Sequence, residues 1–137
     1  IVSVVADVHR IKNTINISLN DDFLNLRERE EVKFKGTSNR IGYLTVFNFY
    51  DGVYSKIYSV KIASQNKEFV IPSTNNNKIV AVLPYGQEQS KEMIMFLFTE
   101  NMIDTKTSYS QNEMQSLVYS IPYQNRKVVN RYINIVK

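Results

Sequence analysis

The stretch of sequence that decides the fold is IGYLTVFNFYDGVYSKIY, residues 41–58. Two runs rich in β-branched and aromatic residues flank the pair Asp51-Gly52. An Asp-Gly pair favours the two positive φ angles of a type I′ turn, whose twist matches that of the strands it joins. The stretch therefore predicts an antiparallel β-hairpin, and an antiparallel β domain around it.

A two-residue turn also fixes the register of the predicted hairpin. The expected pairs are Tyr50–Val53, Phe49–Tyr54, Phe47–Lys56 and Val46–Ile57. On this register one face carries five aromatic residues, which are Tyr43, Phe47, Phe49, Tyr54 and Tyr58. The opposite face carries Leu44, Val46, Val53 and Ile57. We expect the aliphatic face to contribute to a core, and the aromatic face is a candidate interaction surface.

Composition narrows the classes of function. The chain has 137 residues, which suits a single domain with its own core. It contains no cysteine, which excludes disulfides and thiolate chemistry, and His9 is the only histidine. The net charge of +4 is modest, so nucleic-acid binding has little support. No apolar run approaches the length needed to span a membrane.

The chain begins at Ile1, inside an alternating apolar pattern, without an initiator methionine or a signal peptide. We interpret it as part of a longer protein. Residues 1–137 are expected to form one β-sandwich domain, and residues 1–20 are expected to belong partly to a preceding region.

Alternating or apolar runs predict further strands within residues 2–19 and at 32–35, 68–71, 78–83, 92–99 and 127–137. Loops are expected at 36–39 and 72–77, and residues 24–31 are a charged connector that is either a helical turn or an extended edge. The run 92–99 does not alternate, so both of its faces should be covered. It is the candidate for the most central strand.

One helix is expected near residues 110–121. Ser110 and Glu113 have the spacing of a capping box, and Pro122 ends the run. Apolar residues recur between them at helical spacing, at Met114, Leu117, Val118 and Ile121. Together with about seven to nine short strands, this predicts a mostly β fold: a two-sheet antiparallel sandwich, Ig-like or Greek-key-like, with the helix over one edge or end.

The aromatic face of the hairpin has two interpretations. Tyrosine and phenylalanine rings stack on sugars and peptides, which would make it a ligand or glycan platform. The simpler interpretation is a half-buried sheet face, in which cross-strand aromatic pairs stabilise the sheet. A variant of the second is a face that docks a neighbouring domain or subunit.

The charged residues give no strong site. Arg126, Lys127 and Arg131 are a candidate basic patch for anionic partners such as acidic lipid or peptidoglycan, although an ordinary solvated face explains them more simply. His9 lies beside Asp7 and Arg10, but no nucleophile motif accompanies it. The acidic residues Asp21, Asp22, Glu28, Glu30 and Glu31 lack the spacing of a calcium loop. We therefore expect no catalytic residue, no metal site and no cofactor.

Several motifs, in this order, resemble a bacterial cell-envelope family of unknown function. They are Glu30–Phe34, Ile41–Phe47, Asp51–Val53, Val70–Pro72, Leu83–Gly86 and Phe98–Glu100. The resemblance covers roughly residues 24–103. It departs from the family pattern at Arg29, where a glycine is usual, and at residues 58–61, which replace a Phe/Tyr-Pro-Asn element.

Members of that family often lie C-terminal to CsgG-like or other lipoprotein-type domains. The resemblance implies a non-catalytic β-sandwich module in the periplasm or at the outer membrane. The expected partners are other domains of the same chain and envelope proteins, with no nucleic acid and no membrane span in this part of the protein. A homo-oligomer is left open. The alternative is a small-ligand or glycan-binding module, and a hydrolase built on His9 is the least favoured hypothesis.

Overall fold

The computed structural model describes residues 13–20, 23–73 and 78–137. In these residues the chain is mostly β, with one α-helix. In chain order the elements are β1 (Ile17–Leu19), β2 (Phe23–Arg27), β3 (Glu31–Val32), β4 (Phe34–Ser38), β5 (Gly42–Tyr50), β6 (Val53–Ile62), β7 (Phe69–Ile71), β8 (Ile79–Val80), β9 (Gln89–Thr99), β10 (Ser108–Ser110), α1 (Gln111–Ser120), a 3₁₀ turn (Tyr123–Asn125) and β11 (Arg126–Val136).

A six-stranded sheet organises the described residues. Its strand order is β10-β6-β5-β9-β11-β2, and every neighbouring pair is antiparallel except β11 and β2, which run parallel. β9 lies inside the sheet between β5 and β11, and residues 94–99 are all buried. The prediction that residues 92–99 form the central strand is thereby confirmed.

The predicted hairpin is present as β5 and β6. Asp51 and Gly52 have φ angles of 49° and 77°, as the type I′ turn requires. The first pairs match the predicted register, but Val46 pairs with Tyr58 rather than with Ile57. The prediction was wrong at this point because a β-bulge adds Ile57 as an extra residue to β6. Tyr58 is thereby rotated onto the face opposite to the one expected.

Alternation along the central strands divides the large apolar residues between the two faces of the sheet. The first, here called the core face, carries Leu44 and Val46 from β5, Ile94 and Phe96 from β9, and Ile133 from β11. These residues form one buried cluster with residues of β1, β3, β4, β7 and β8. The sheets β1-β4-β7 and β3-β8 therefore pack over the core face, where most of the hydrophobic core lies.

The opposite face, here called the helix face, is partly covered by α1. Phe47, Met95 and Leu97 form a second buried cluster with Met114 of the helix. Ser110 accepts a hydrogen bond from the backbone of Glu113, whose carboxylate accepts one from the backbone of Ser110. The helix and its capping box are therefore confirmed. The helix lies closest to the edge strand β10 and to β6 beside it, which agrees with the expected place over one edge. Its Met114 reaches the apolar patch that alternation in β5 and β9 creates.

Other local expectations differ from the structure in informative ways. Residues 36–39 were expected as a loop, but β4 extends to Ser38 because Gly36 lets it pair closely with β1. The charged connector takes the extended alternative, as β2 and β3. Of the predicted strand 78–83, only Ile79–Val80 forms a regular strand, paired with β3, and Ala81 continues the pairing through backbone hydrogen bonds with Arg29 and Glu30. Among the described residues no helix is long and apolar enough to cross a membrane.

Candidate functional site

The helix leaves part of the helix face uncovered. Beyond the area beneath α1, towards the tip of the β5–β6 hairpin, an open cavity of about 630 Å³ lies over the sheet. Its apolar lining comes from Phe49, Met93 and Tyr132, which together are called the aromatic groove. Asp51 and Lys91 also line it.

Strand register explains how residues so far apart in sequence form one row. Phe49 of β5 pairs with Met93 of β9, and Met93 pairs with Tyr132 of β11. Directly paired side chains on one sheet face are neighbours, with Cβ atoms about 4.5–5.5 Å apart. The row therefore crosses three adjacent strands, with Met93 as its floor and an aromatic ring on each side.

The wall at Phe49 is supported from behind. Its ring lies 4.4 Å from the ring of Tyr54, measured between centroids, in a tilted arrangement. Tyr54 in turn packs against the buried cluster under the helix, and its partial burial raises the pKa of its hydroxyl. The opposite wall of the groove is more accessible to solvent, because Tyr132 is 58% exposed. The groove thus combines a fixed aromatic wall with an accessible one.

Polar groups surround the apolar centre. Lys91 and Asp51 place one charge of each sign at the rim. On the same sheet face, the side-chain amide of Gln89 donates to Asn134 Oδ1 over 2.7 Å. A hydrophobic centre with a polar rim is the usual arrangement in protein–protein interfaces. The groove therefore has the chemistry of a binding surface.

The structure divides the five aromatic residues predicted to share a face. Phe49 lines the groove and Tyr54 packs behind it, whereas Phe47 is fully buried beneath the helix. Tyr43 is on the same face but lines a separate cleft beside Met102. The remaining residue, Tyr58, is turned to the core face by the bulge and shares a hydrogen bond with Ser73. The five therefore do not form one continuous surface.

Two groove residues were missed from the sequence. Met93 was placed in the central strand, which was expected to be covered on both faces, and Tyr132 was placed in the closing strand. Both strands were predicted, but their register against β5 was not. Pairing between strands so distant in sequence leaves no local signal, unlike the Asp-Gly turn that fixes the hairpin.

The candidate basic patch is also divided. Arg126 projects on the helix face, where its Nε donates to the Ile121 carbonyl oxygen over 2.8 Å. Its guanidinium lies 5.5 Å from the ring centroids of both Tyr119 and Tyr123. Lys127 and Arg131 occupy odd-numbered positions of β11, which alternate to the opposite face. The three cations are therefore not brought together.

The remaining candidates are the histidine and the acidic residues considered for catalysis or metal binding. Asp7, His9 and Arg10, and the acidic pair Asp21 and Asp22, lie outside the described residues. Within the described part of the chain, no group of three histidine or acidic side chains is arranged to hold a metal ion.

Comparisons with protein-family models, with curated proteins and with solved structures find no match for this chain.

Proposed function

We propose that this chain is a non-catalytic protein-interaction module of a bacterial cell-envelope protein, and that the aromatic groove is its binding face. The observation that carries the proposal is the incomplete cover of the helix face. Phe49, Met93 and Tyr132 line an open groove, and of the three only Met93 also packs against the buried cluster beneath α1. An apolar groove edged by polar residues is a common mark of a protein-binding site.

The groove defines the chemistry of its partner. The space between Phe49 and Tyr132 suits one aliphatic or aromatic side chain, which would rest on Met93. Lys91 at the rim favours an acidic residue beside that anchor, and the net charge of +4 favours association with an acidic partner. The proposed partner is thus a protein that presents an exposed apolar residue next to a carboxylate.

The wider setting rests on the family resemblance. It supports a place in the periplasm or at the outer membrane, within a large assembly such as a flagellar-motor accessory or a secretion structure. The partner would then be another envelope protein or a neighbouring domain of the same chain. In this proposal the fold is a two-sheet sandwich, in which β1-β4-β7 and β3-β8 together form the layer facing the central sheet.

A second candidate function is glycan binding at the same groove. It is favoured by the exposed ring of Tyr132 in a groove that also holds the carboxylate of Asp51. Sugars stack on tyrosine rings through their apolar faces and hydrogen-bond to nearby carboxylates. A glycan would need only the ring of Tyr132 and the carboxylate of Asp51. A protein partner would need the whole row of Phe49, Met93 and Tyr132.

The test compares two charge-introducing variants of exposed tyrosines. Tyr132→Lys disrupts the groove, and Tyr85→Lys is the matched control because Tyr85 is fully exposed in the loop after β8. Each protein is immobilised and incubated with envelope extract, and retained proteins are quantified by mass spectrometry. A retained protein is then purified, and the dissociation constant of its complex with each variant is measured by calorimetry.

We expect Tyr132→Lys to weaken binding of the purified partner about 30-fold, as loss of a central interface tyrosine does, and Tyr85→Lys to leave it unchanged. Equal affinity for both variants would exclude the groove as the binding face. If no protein is retained, and a glycan array instead gives a signal that Tyr132→Lys abolishes, the second function replaces the first.

A further inference from the structure

A second cavity lies on the core face, between the central sheet and the strands that cover it. Its volume is about 230 Å³. Most of its lining is aliphatic or aromatic, including Leu26, Phe34, Ile57, Ile79, Ile94 and Ile135. Val80 and Val82, which also line it, are 41% and 67% exposed, so the cavity reaches the surface along β8 and the residues that follow.

One side of this apolar cavity carries a carboxylate. Glu92 lines the cavity and is only 8% exposed. Asn48 Nδ2 donates to Glu92 Oε1 over 2.7 Å, and Ser90 Oγ donates to Oε2 over 2.7 Å. A carboxylate has about four acceptor positions, so each oxygen can accept at least one more hydrogen bond.

The second polar residue of the lining, Asn48, holds a buried acceptor without a donor. Asn48 uses its amide nitrogen on Glu92, and its Oδ1 atom is buried with no hydrogen-bond partner. A buried acceptor without a donor is unfavourable, and native structures hold few of them. Because Asn48 Oδ1 has almost no accessible surface, a ligand in the cavity does not reach it, and the acceptor capacity that faces the cavity is that of Glu92.

The charge of Glu92 is also unmatched in the described part of the chain, where no lysine or arginine nitrogen lies within 4.0 Å of its carboxylate. Arg131, on the same face of β11, donates to the carbonyl oxygen of Asn130. Hydrogen bonds such as those from Asn48 and Ser90 stabilise a buried carboxylate, and a cationic donor stabilises it further. Within the described part of the chain, the component that Glu92 lacks is thus a cationic hydrogen-bond donor.

We propose that this cavity binds a small amphipathic cation, namely a primary ammonium group on a short aliphatic body. The N–H groups of an ammonium satisfy the open acceptor positions of Glu92, while the body lies against the aliphatic lining. An apolar cavity of about 150 Å³ holds benzene, so the volume here admits about five or six carbons together with the ammonium group. Most of its lining lies on the face of the sheet opposite to the row formed by Phe49, Met93 and Tyr132, while Glu92 and Ile133 line both cavities. The proposal does not depend on the function proposed for the aromatic groove.

The first experiment uses the unmodified chain and three probes of equal length: pentylammonium, pentanol and pentanoate. Binding is followed by ¹H–¹⁵N NMR, in which the Asn48 side-chain amide and the backbone amides near Glu92 report on the cavity. We expect pentylammonium to bind about tenfold more tightly than pentanol, because its hydrogen bonds to Glu92 are charge-assisted. Pentanoate should not bind. Equal binding of the alcohol and the ammonium would overturn the proposal.

Two variants separate charge from shape. Glu92→Gln keeps the size of the side chain and should weaken pentylammonium binding about tenfold while leaving pentanol unchanged. Ala81→Leu fills the cavity and should abolish binding of both. Glu88→Gln is the control for non-specific attraction, because the Glu88 side chain is 82% exposed. The site would be refuted if Glu88→Gln lowered the affinity for pentylammonium as much as Glu92→Gln does. It would also be refuted if pentylammonium caused no shift of the Asn48 side-chain amide signal in the folded wild type. Tyr132→Lys should leave pentylammonium binding intact.

Discussion

Replacing Phe96 by alanine is expected to remove a large part of the stability of the fold. Phe96 lies in β9, at the centre of the six-stranded sheet, and its side chain is completely buried. Its ring meets the ring of Phe34 edge-on, with 5.0 Å between the centroids and 81° between the planes. The contact connects the central sheet to the strands that cover its core face.

The magnitude follows from the buried ring. About 150 Å² of aromatic surface at about 25 cal/mol/Å² corresponds to about 4 kcal/mol. Buried Phe→Ala changes typically cost about 3–5 kcal/mol, which includes the cavity left behind and the lost ring contact. Because small domains are stable by about 5–15 kcal/mol, the variant should lose at least a quarter of its free energy of unfolding.

The assay is urea unfolding followed by far-UV circular dichroism. With an m-value of about 2 kcal/mol/M, a loss of 4 kcal/mol lowers the midpoint by about 2 M. Val82→Ala is the control, because this side chain is 67% exposed and its truncation should change stability by less than about 0.5 kcal/mol. A midpoint shift below about 0.5 M for Phe96→Ala, with an unchanged slope, would refute the reasoning, since it would show that the ring is not closely packed.

Two further predictions concern a close backbone approach and the helix cap. Gly42→Ala should lower the free energy of unfolding, measured with urea, by about 1–3 kcal/mol, because the added Cβ would lie 2.5 Å from the carbonyl oxygen of Thr99. A variant as stable as the wild type would contradict this prediction. Hydrogen bonds from Lys106 and then from Ser110 lower the pKa of Glu113 from 4.5 to about 2. Because the folded-state pKa lies below the unfolded one, the stabilisation is complete above about pH 4.5 and is lost as the pH falls towards 2. Hydrogen exchange in α1 should accordingly quicken over this range relative to Glu113→Gln, and identical pH profiles for the two proteins would exclude the linkage.

The elements that local chemistry specifies were predictable from the sequence. The Asp-Gly turn fixed the hairpin, and Ser110 with Glu113 marked the start of the helix. The unbroken apolar run 93–98 identified the central strand, since such a run is typical of a strand that is covered on both faces. In each case the deciding residues are neighbours in sequence.

What could not be predicted depends on residues far apart. The bulge at Ile57 reverses the face of Tyr58, yet its sequence is as regular as that of the rest of the strand. The aromatic groove needs Met93 and Tyr132 beside Phe49, which follows only from the registers of β9 and β11. The same limit applies to Asn48 and Glu92, which meet only because β5 and β9 are adjacent.

The parallel pairing of β2 with β11 has a consequence for the nascent chain. β2 ends at Arg27, and the strand that receives it begins at Arg126, about 100 residues later. At about 5–20 residues per second, the ribosome supplies that partner about 5–20 s after β2 is made. In the last part of this interval, after β9 is completed at Thr99, the edge of β9 that β11 will occupy is also open, and unpaired edges promote aggregation. Translation speed across residues 100–136 should therefore govern how much of the newly made protein folds before it associates with other chains.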